Sequence, residues 1–314
     1  MTPTVLFIGG LGRSGSTLLE QALGELEGVQ GLGETVHLWN RGVQLDERCG
    51  CGQPFHSCEF WTRVGDEAFG GWRSLDVARV EWLRATIDRT RYIPVMPLRS
   101  WRPRYAALLD EYVGYYRSIY DAVGRSTGAS VVVDSSKHPS LAYALATGGL
   151  DLRVVQVVRD PRAVAHSWTK TVRRPEATSE QADLMTVYRP SRSAMLWDSH
   201  NLALRALPRI GTPTLCLRYE DFVADPAATL RRVMSFAGIG ATALPLDGDR
   251  MTVSAQHTVS GNPARFRTGE VRIAAADDWR SALSRPARAV VTAITLPQLH
   301  RYGYPVTGRS AGPR

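Results

Sequence analysis

The sequence predicts an α/β protein in which helices flank a central parallel sheet, with residues 1–314 forming one domain. Short apolar runs alternate along the chain with segments whose apolar residues recur at helical spacing. The first apolar run leads into a glycine-rich loop and then a helical segment. With 44% apolar and 22% charged residues, the 314-residue chain can bury a substantial core.

The N-terminal half begins with a strand, TVLFIGG at 4–10, and a helix, TLLEQALGEL at 17–26. Residues 75–125 are predicted to be mainly helical, with a proline-broken stretch at 94–104. One face of the last helix carries apolar and aromatic residues at helical spacing, which we interpret as core packing. These residues are Leu108, Leu109, Tyr112, Val113, Tyr116, Ile119, Tyr120 and Val123.

Three further strand–helix units follow. SVVVD at 130–134 precedes a helix around LAYALA, and LRVVQVVRD at 152–160 precedes a helix with Pro161 at its first position. TPTLCLRYED at 212–221 precedes a helix that a glycine ends near residue 238. Residues 170–192 are polar and weakly patterned, so we expect them to form a mobile flap.

The net charge of +8 and the isoelectric point near 9.6 favour an anionic partner, although a solvated basic surface explains them equally well. No segment approaches the ~18 consecutive apolar residues of a membrane span. The N-terminus has no basic stretch before its short apolar run, which argues against a signal peptide. We therefore expect a soluble cytoplasmic protein without an integral membrane segment.

Three of the four cysteines, Cys49, Cys51 and Cys58, lie with His56 within ten residues, whereas Cys216 is distant. A zinc site requires four ligands in tetrahedral geometry, and Cys-x-Cys spacing is tight for that purpose. No second cluster in the sequence supplies the remaining ligands. A local structural loop or a Cys51–Cys58 pairing is therefore favoured over a metal site, and no metal is expected.

The loop from Gly10 to Thr17, GLGRSGST, nearly matches the phosphate-binding pattern G-x-x-x-x-G-K-[ST]. Ser16 stands at the lysine position, so the cation that reaches the β- and γ-phosphates of a nucleoside triphosphate is missing. Backbone amides at a helix N-terminus still favour an anion. The loop adds donors from Arg13, Ser14, Ser16 and Thr17.

The carboxyl ends of parallel strands meet at one edge of a sheet, where ligands bind. Four segments should converge there: Gly10–Thr17, Asp134–Lys137, Arg159–Ser167 and Arg218–Asp221. Arg159 can grip a phosphate with two hydrogen bonds, and Ser167 adds a hydroxyl two helical turns later. This second anion site suits a nucleotide phosphorylated at two positions, although an Arg159–Asp160 arrangement at the helix start explains the spacing as well.

GRSGSTLL followed by VVQVVRDPRAVAHSW resembles the paired signature of the sulfotransferases that use 3′-phosphoadenosine 5′-phosphosulfate. The two elements stand about 145 residues apart in the same order as in that family. LRYEDFVADPAATLRRVMSFAGI is similar to the strand and helix that follow its core. HTVSGNPARFRTGEV and the later DDW resemble the C-terminal segment of its bacterial members.

The resemblance implies a P-loop-like domain that binds this donor and releases adenosine 3′,5′-bisphosphate, so no lysine for a γ-phosphate is needed. Arg159 and Ser167 would hold the 3′-phosphate, Tyr219 would contact adenine, and Arg265 and Arg267 would close over the 3′-phosphate end. The residues implied to hold the 5′-phosphosulfate are Arg13, Ser14, Gly15, Ser16 and Thr17.

Sulfuryl transfer by in-line attack requires a base for the acceptor hydroxyl and a cation near the leaving group. The resemblance implies Glu34 as the base, although Glu34 could instead cap the helix near Thr35. His37 and His138 are the alternative bases, because the cytosolic branch uses a histidine. Either Lys137 or Arg13 would stabilise the leaving group, and the sequence leaves that choice open.

The alternative function is an ATP- and Mg²⁺-dependent kinase or nucleotide hydrolase, since Asp134 ends a strand that imitates a Walker B strand. A nucleic-acid binder is disfavoured, because the arginines are scattered and match no known module. The resemblance favours a hydroxyl of a small molecule, carbohydrate or lipid as acceptor, with its specificity in residues 170–192 and the cysteine loop. The sequence predicts neither the exact acceptor nor the oligomeric state.

Overall fold

The computed structural model describes residues 2–175 and 184–306, with a five-stranded parallel sheet at the centre in the order β2-β3-β1-β4-β5. A separate antiparallel sheet of three short strands follows later in the chain, in the order β6-β7-β8. The strands are β1 (Thr4–Gly9), β2 (Val29–Gly31), β3 (Val131–Lys137), β4 (Leu152–Val158), β5 (Thr214–Arg218), β6 (Leu246–Asp247), β7 (Arg250–Val253) and β8 (Gly269–Arg272). The predicted parallel α/β architecture is confirmed.

Helices cover both faces of the parallel sheet. They are α1 (Ser16–Gly24), α2 (Glu59–Phe69), α3 (Val77–Ile87), α4 (Pro103–Thr127), α5 (Pro139–Thr147), α6 (Pro161–Thr169), α7 (Pro190–Arg205), α8 (Tyr219–Ala224), α9 (Pro226–Ala237), α10 (Trp279–Ala282) and α11 (Arg285–Arg301). Alternate residues of β1 enter two different cores, with Val5 and Phe7 on one face and Leu6 and Ile8 on the other. The α2–α5 layer covers the first face, and α1 and α9 cover the second.

The predicted core face of the long helix α4 is confirmed. Its residues from Leu109 to Val123 on that face are buried, and Leu108 packs against them partly buried. The Trp39 indole donates a hydrogen bond to the Tyr116 hydroxyl at 3.2 Å, and the two rings meet edge to face. The aromatic stripe is therefore part of the core rather than a ligand site.

The register between β1 and β3 changes just before the loops that follow them. Phe7 pairs with Asp134, but Gly9 pairs with Lys137, so β3 contains one extra residue. Such bulges change the direction of a side chain and are common beside functional sites. Lys137, at the end of this irregular stretch, has a φ angle of +68°, in the left-handed region.

The sequence analysis did not predict β2, the antiparallel sheet, or helices α2, α7, α10 and α11. β2 has only three residues, so it offers little periodicity to recognise. It leads to Gly33, which forms a parallel bridge with Val259 from the C-terminal region. The chain thereby returns to the sheet edge near Glu34 after more than two hundred residues.

The predicted flap at 170–192 lies partly outside the described residues, which omit 176–183. On either side of that gap, the Met185 amide donates to the Val172 carbonyl at 2.8 Å, and Arg173 forms a bridge with Leu184. Helix α7 begins at Pro190. The mobility of the flap and the extent of the single domain stay predictions.

Candidate active site

A cavity of about 700 Å³ lies where the loops after β1, β2, β3 and β4 meet. Its wall includes residues from all four segments that the sequence predicts to converge. The predicted site residues that border it are Arg13, Gly15, Ser16, Thr17, Glu34, Lys137, Arg159, Ser167 and Tyr219, together with the alternative bases His37 and His138. Residues more than two hundred positions apart in the chain thus share one cavity.

The loop after β1 is shaped to present backbone amides to the cavity. Gly10 and Gly15 have φ angles of +148° and +91°, and α1 starts directly afterwards at Ser16. Gly15 is the N-cap of α1 and provides no side-chain cap, so the first amides of the helix stay available to a ligand. A Cβ at Gly15 would lie 2.2 Å from Cδ2 of Tyr219, which explains why a glycine is required there.

The side chains of this loop include two groups with polar atoms that the fold buries, Ser14 and Arg13. The Ser14 hydroxyl is buried and has no hydrogen-bond partner among the described residues. Arg13 adopts a φ angle of +74° and contacts the Met185 sulfur at 3.1 Å, with its guanidinium 5.4 Å from the centre of the Trp168 ring. Burial lowers the pKa of Arg13, and the nearby Glu34 charge opposes that shift. An arginine in such surroundings gains from an anionic neighbour.

Arg159 joins the loop after β1 to the C-terminal region. Its guanidinium donates to the carbonyl oxygens of Arg13 at 3.0 Å and Ala276 at 3.1 Å. The same group lies 4.6 Å from the centre of the Tyr219 ring, and the Tyr219 hydroxyl donates to the Ala274 carbonyl. Ser167 borders the cavity from the adjoining helix α6. The two residues predicted to form the second anion site therefore lie beside the loop after β1.

Glu34 and Lys137 form a partly buried ion pair on the cavity wall. The Lys137 Nζ donates to Glu34 Oε1 at 2.5 Å and to the Ser135 carbonyl at 3.0 Å. His37 Nε2 lies 3.6 Å from the other Glu34 oxygen. Burial acts to raise the pKa of Glu34, but the Lys137 charge, joined by that of His37 once it is protonated at low pH, outweighs burial and lowers the pKa to about 2. Glu34 is consequently a carboxylate at neutral pH and can accept a proton.

Three histidines line the cavity next to this pair. The rings of His37 and His138 have their centres 6.0 Å apart, and His138 and His200 are 6.3 Å apart. Burial lowers the pKa of His37 to about 3 and that of His200 to about 4, and it also lowers the pKa of His138. All three are neutral imidazoles at pH 7, so the positive charge here comes from Lys137 and the arginines.

The sequence analysis missed Glu20 of α1, which supports both halves of the ion pair. Glu20 Oε1 accepts a hydrogen bond from the Gly33 amide at 2.6 Å, and Oε2 accepts one from the Ser135 hydroxyl at 2.6 Å. Gly33 precedes Glu34, and the Ser135 carbonyl binds Lys137. The position of Glu20 on the buried side of an amphipathic helix offered no sign of this function, because Gly33 lies in the next loop and Ser135 lies 115 residues away.

Asp134, on which the kinase alternative depends, is completely buried beneath the cavity floor. Its two carboxylate oxygens accept four hydrogen bonds, from the Thr35 and Tyr120 hydroxyls and from the amide and hydroxyl of Ser136. Asp134 does not border the cavity among the described residues. The carboxylate is therefore occupied in holding β3 against α4 and the segment after Glu34, which weakens the comparison with a metal-binding Walker aspartate.

Within the described residues, the structure does not bring Ser14, Arg265, Arg267 or the cysteine loop to the cavity wall. The Arg265 guanidinium is buried and donates to the carbonyls of Thr258 and Arg48, each at 2.7 Å, whereas Arg267 is exposed. The sequence analysis missed several residues that line the cavity. Arg41 and Arg174 carry no local signal, because arginine is so frequent in this chain. These missed residues include Arg41, Trp168, Arg174, Tyr188, His200 and Asn262.

Comparisons with known proteins agree with this geometry. A family model described as the sulfotransferase family matches residues 3–243. Carbohydrate sulfotransferase 3 of Mus musculus is 29% identical over 166 residues, which cover 49% of this chain and 34% of that protein. Its Homo sapiens counterpart is 27% identical with the same coverage, so the match spans about a third of these relatives.

Sulfotransferase STF9 from Mycobacterium avium has a similar fold. Its crystal structure aligns with 98% of this chain and 79% of its own chain, at a TM-score of 0.50 and 16% identity. Within the part of the chain that the structure describes, no helix has the length and apolar character needed to cross a bilayer. Because the family model covers most of the sequence, including Gly10–Thr17, Arg159–Ser167 and Glu34, the conclusion is direct: this chain belongs to the sulfotransferase family.

Proposed function

We propose that this protein transfers a sulfuryl group from 3′-phosphoadenosine 5′-phosphosulfate to a hydroxyl group of an acceptor. The observation that supports this proposal is the convergence of three elements on one cavity. These elements are the amide-rich loop after β1, the Arg159–Ser167 pair and the Glu34–Lys137 ion pair. Two anion-binding regions next to a carboxylate base suit a doubly phosphorylated donor and a neutral hydroxyl.

The residues present fit such a donor. Uncapped amides at the start of α1, together with the buried, unpaired Ser14 hydroxyl, are suited to the 5′-phosphosulfate. Arg159 and Ser167 would hold the 3′-phosphate, and the Tyr219 ring would lie against adenine. When bound, the nucleotide supplies an activated sulfuryl group.

Glu34 would act as the base that accepts the proton of the acceptor hydroxyl. Its carboxylate is ionised at neutral pH, because Lys137 and His37 hold its pKa low. With an anion in the loop after β1, Lys137 would divide its charge between that anion and Glu34, so the pKa of Glu34 would rise and its basicity would increase. Lys137 and Arg13 both border the cavity, and either could neutralise charge on the leaving oxygen.

We propose the acceptor class from the need for a nucleophilic hydroxyl and from the names of the two relatives. The two curated relatives are named as carbohydrate sulfotransferases, so a carbohydrate hydroxyl is the first class to test, before lipids and other small molecules. The described flank of the predicted flap borders the cavity through Arg174, Leu184, Met185 and Tyr188. We infer that this flank contributes to acceptor choice. The cytoplasmic location stays a prediction from the sequence.

Donor class is tested first by calorimetric titration with adenosine 3′,5′-bisphosphate and, separately, with ATP, each without and with Mg²⁺. We expect tight binding of the bisphosphate that does not depend on the metal, and weak binding of ATP. Mg²⁺-dependent ATP binding without a bisphosphate signal would instead support the kinase alternative. Arg159→Ala should weaken the bisphosphate but barely change adenosine 5′-phosphosulfate, which lacks the 3′-phosphate.

Glu34→Gln tests the assignment of the base. We expect turnover to fall by about 10²- to 10⁴-fold, because the amide cannot accept the hydroxyl proton, while bisphosphate affinity stays close to wild type. His37→Asn and His138→Asn are the matched comparisons and should keep most of the activity. A fully active Glu34→Gln enzyme, combined with an inactive histidine variant, would transfer the role of base to that histidine.

A further inference from the structure

Outside the cavity, the structure assembles three thiols and an imidazole from distant parts of the chain. Cys49, Cys51 and Cys58 come from the loop before α2, and His257 comes from the segment after β7, 199 residues beyond Cys58. Their four ligand atoms all lie within 4.8 Å of one another. His56, which the sequence groups with the cysteines, is not a member, since its Nε2 contacts the Val43 carbonyl at 2.9 Å. The fourth ligand, which the cysteine segment lacks in the sequence, is therefore His257, which lies next to the three thiols in the folded chain.

The distances in this cluster match the edges of a metal-centred tetrahedron. Cys58 Sγ lies 3.7 Å from both Cys49 Sγ and Cys51 Sγ, and His257 Nδ1 lies 3.3 Å from Cys58 Sγ and 3.8 Å from Cys49 Sγ. With Zn–S bonds of about 2.3 Å and Zn–N bonds of about 2.0 Å, tetrahedral edges are about 3.8 Å between sulfurs and about 3.5 Å between sulfur and nitrogen. All four cysteines of the chain are free thiols in this structure.

The surroundings favour a closed structural site. Cys49 and Cys58 are buried, and the His257 ring stacks on Phe60 with centres 4.9 Å apart. The backbone around the cysteines is held by hydrogen bonds from the Cys49 amide to the Gln53 carbonyl and from the Gly50 amide to the Thr258 carbonyl, each at 2.8 Å. The cysteine loop therefore already lies against the segment that carries the histidine.

We propose that Cys49, Cys51, Cys58 and His257 bind one zinc ion as a closed structural site. Three thiolates and one imidazole are a typical ligand set of structural zinc, and they leave no open position for substrate. Binding would release the thiol protons to solvent. None of the four ligands borders the cavity, so the ion would have no direct part in sulfuryl transfer.

The position of this site gives it a structural consequence. The segment that carries His257 continues to Val259, which accepts a hydrogen bond from the Glu34 amide at 2.8 Å, and to Gly261 on the cavity wall. The zinc would therefore fasten the cysteine loop to the C-terminal segment that positions Glu34. Its loss should loosen this wall of the cavity without removing any group that touches a ligand.

The proposal is tested by measuring metal content in the full chain, purified without a metal-affinity tag and passed through a desalting column. Inductively coupled plasma mass spectrometry should find about one zinc ion per chain and no iron. Thiol titration in denaturant with EDTA should then find all four cysteines reduced. A metal-free, folded wild type, or two cysteines lost to a disulfide, would overturn the proposal, as would an iron–sulfur cluster.

Cys58→Ser is the informative variant, because its sulfur contacts the other three ligands. Zinc content should fall below about a tenth of an ion per chain. Cys216→Ser, at an exposed thiol outside the cluster, is the matched control and should retain its zinc. If Cys58→Ser does not fold, cobalt reconstitution of chelator-treated wild type decides, since a tetrahedral thiolate site gives sulfur-to-cobalt charge-transfer bands in the near ultraviolet beside the visible bands of tetrahedral cobalt. Absence of those bands would contradict the site.

Discussion

At the scale of single residues, the site depends on charges that are held in place by neighbours outside the cavity wall. Glu34 is ionised because the Lys137 ammonium group donates a hydrogen bond to its carboxylate. Glu20 accepts one short hydrogen bond from the Gly33 amide, next to Glu34, and another from the Ser135 hydroxyl, near Lys137. Glu20 itself is nearly completely buried. Burial raises its pKa to about 7, even though the Ser135 hydroxyl, Lys137 and the Gly33 amide act in the opposite direction.

Glu20→Gln should change how stability depends on pH. The wild-type carboxyl has a folded pKa of about 7, above the 4.5 of an unperturbed glutamate, so its contribution is complete below pH 4.5 and is lost as pH rises through 7. The glutamine side chain does not titrate. The unfolding free energy of the variant minus that of wild type should therefore increase by about 3 kcal/mol from pH 4.5 to pH 7. Urea unfolding at several pH values measures this difference, and parallel profiles would rule out a shifted Glu20.

At the scale of elements, the loop between β1 and α1 combines positive φ angles with close packing. Gly15 has a φ angle of +91°, and the ring of Tyr219 fills the space where a side chain would begin. This packing couples the anion-binding loop to the start of α8, which carries Tyr219. The loop after β1 and the start of α8 after β5 can lie this close only because Gly15 has no Cβ.

Gly15→Ala should be costly for two reasons, backbone strain and a Cβ contact of 2.2 Å with Tyr219. We expect a loss of about 3 kcal/mol in unfolding free energy and a weaker bisphosphate affinity. Gly211→Ala is the matched control, because its φ angle is +83° but nothing lies within 4 Å of the added Cβ. The control should lose about 1 kcal/mol. Equal losses in the two variants would mean that the Tyr219 contact is unimportant.

At the scale of the whole molecule, segments remote in sequence are joined around the cavity. Arg265 links the cysteine loop to the C-terminal segment by its bonds to Arg48 and Thr258, and Val259 pairs with the edge of the parallel sheet. We infer that Arg265 positions this segment, in place of the direct contact with a phosphate that the resemblance implies. Arg267, two residues later, has an exposed side chain.

Arg265→Met and Arg267→Met distinguish these two roles. Arg265→Met should lower the unfolding free energy by about 3 kcal/mol, because the buried Thr258 carbonyl and the partly buried Arg48 carbonyl both lose a charged donor. Arg267→Met should stay within about 0.5 kcal/mol of wild type. Denaturant unfolding and calorimetry with the bisphosphate provide the measurements. Stable variants that both bind the bisphosphate poorly would restore the role that the resemblance implies.

The sequence predicted the features that depend on local chemistry. The strand and helix pattern from β1 to α9 agrees with the structure to within a few residues, apart from the three-residue β2, unpredicted α2 and α7, and α8, which begins inside a predicted strand segment. The four loops that were expected at the carboxyl edge do border one cavity, since parallel strands place their ends together. Apolar periodicity and glycine position are properties of neighbouring residues, so they can be read without knowing the path of the chain.

By itself, then, the sequence determined the α/β class and the convergence of the loops that carry Arg13, Lys137, Arg159 and Tyr219, whereas Glu34 was placed in the site by the family resemblance. Only the tertiary structure decided that Glu20 supports the ion pair, that Asp134 is buried, and that His257 meets three cysteines. The Thr35–Asp134, Glu20–Ser135 and Cys58–His257 contacts join residues 99, 115 and 199 positions apart. Such contacts depend on how the layers pack around the sheet, and no local pattern of residue types encodes that packing.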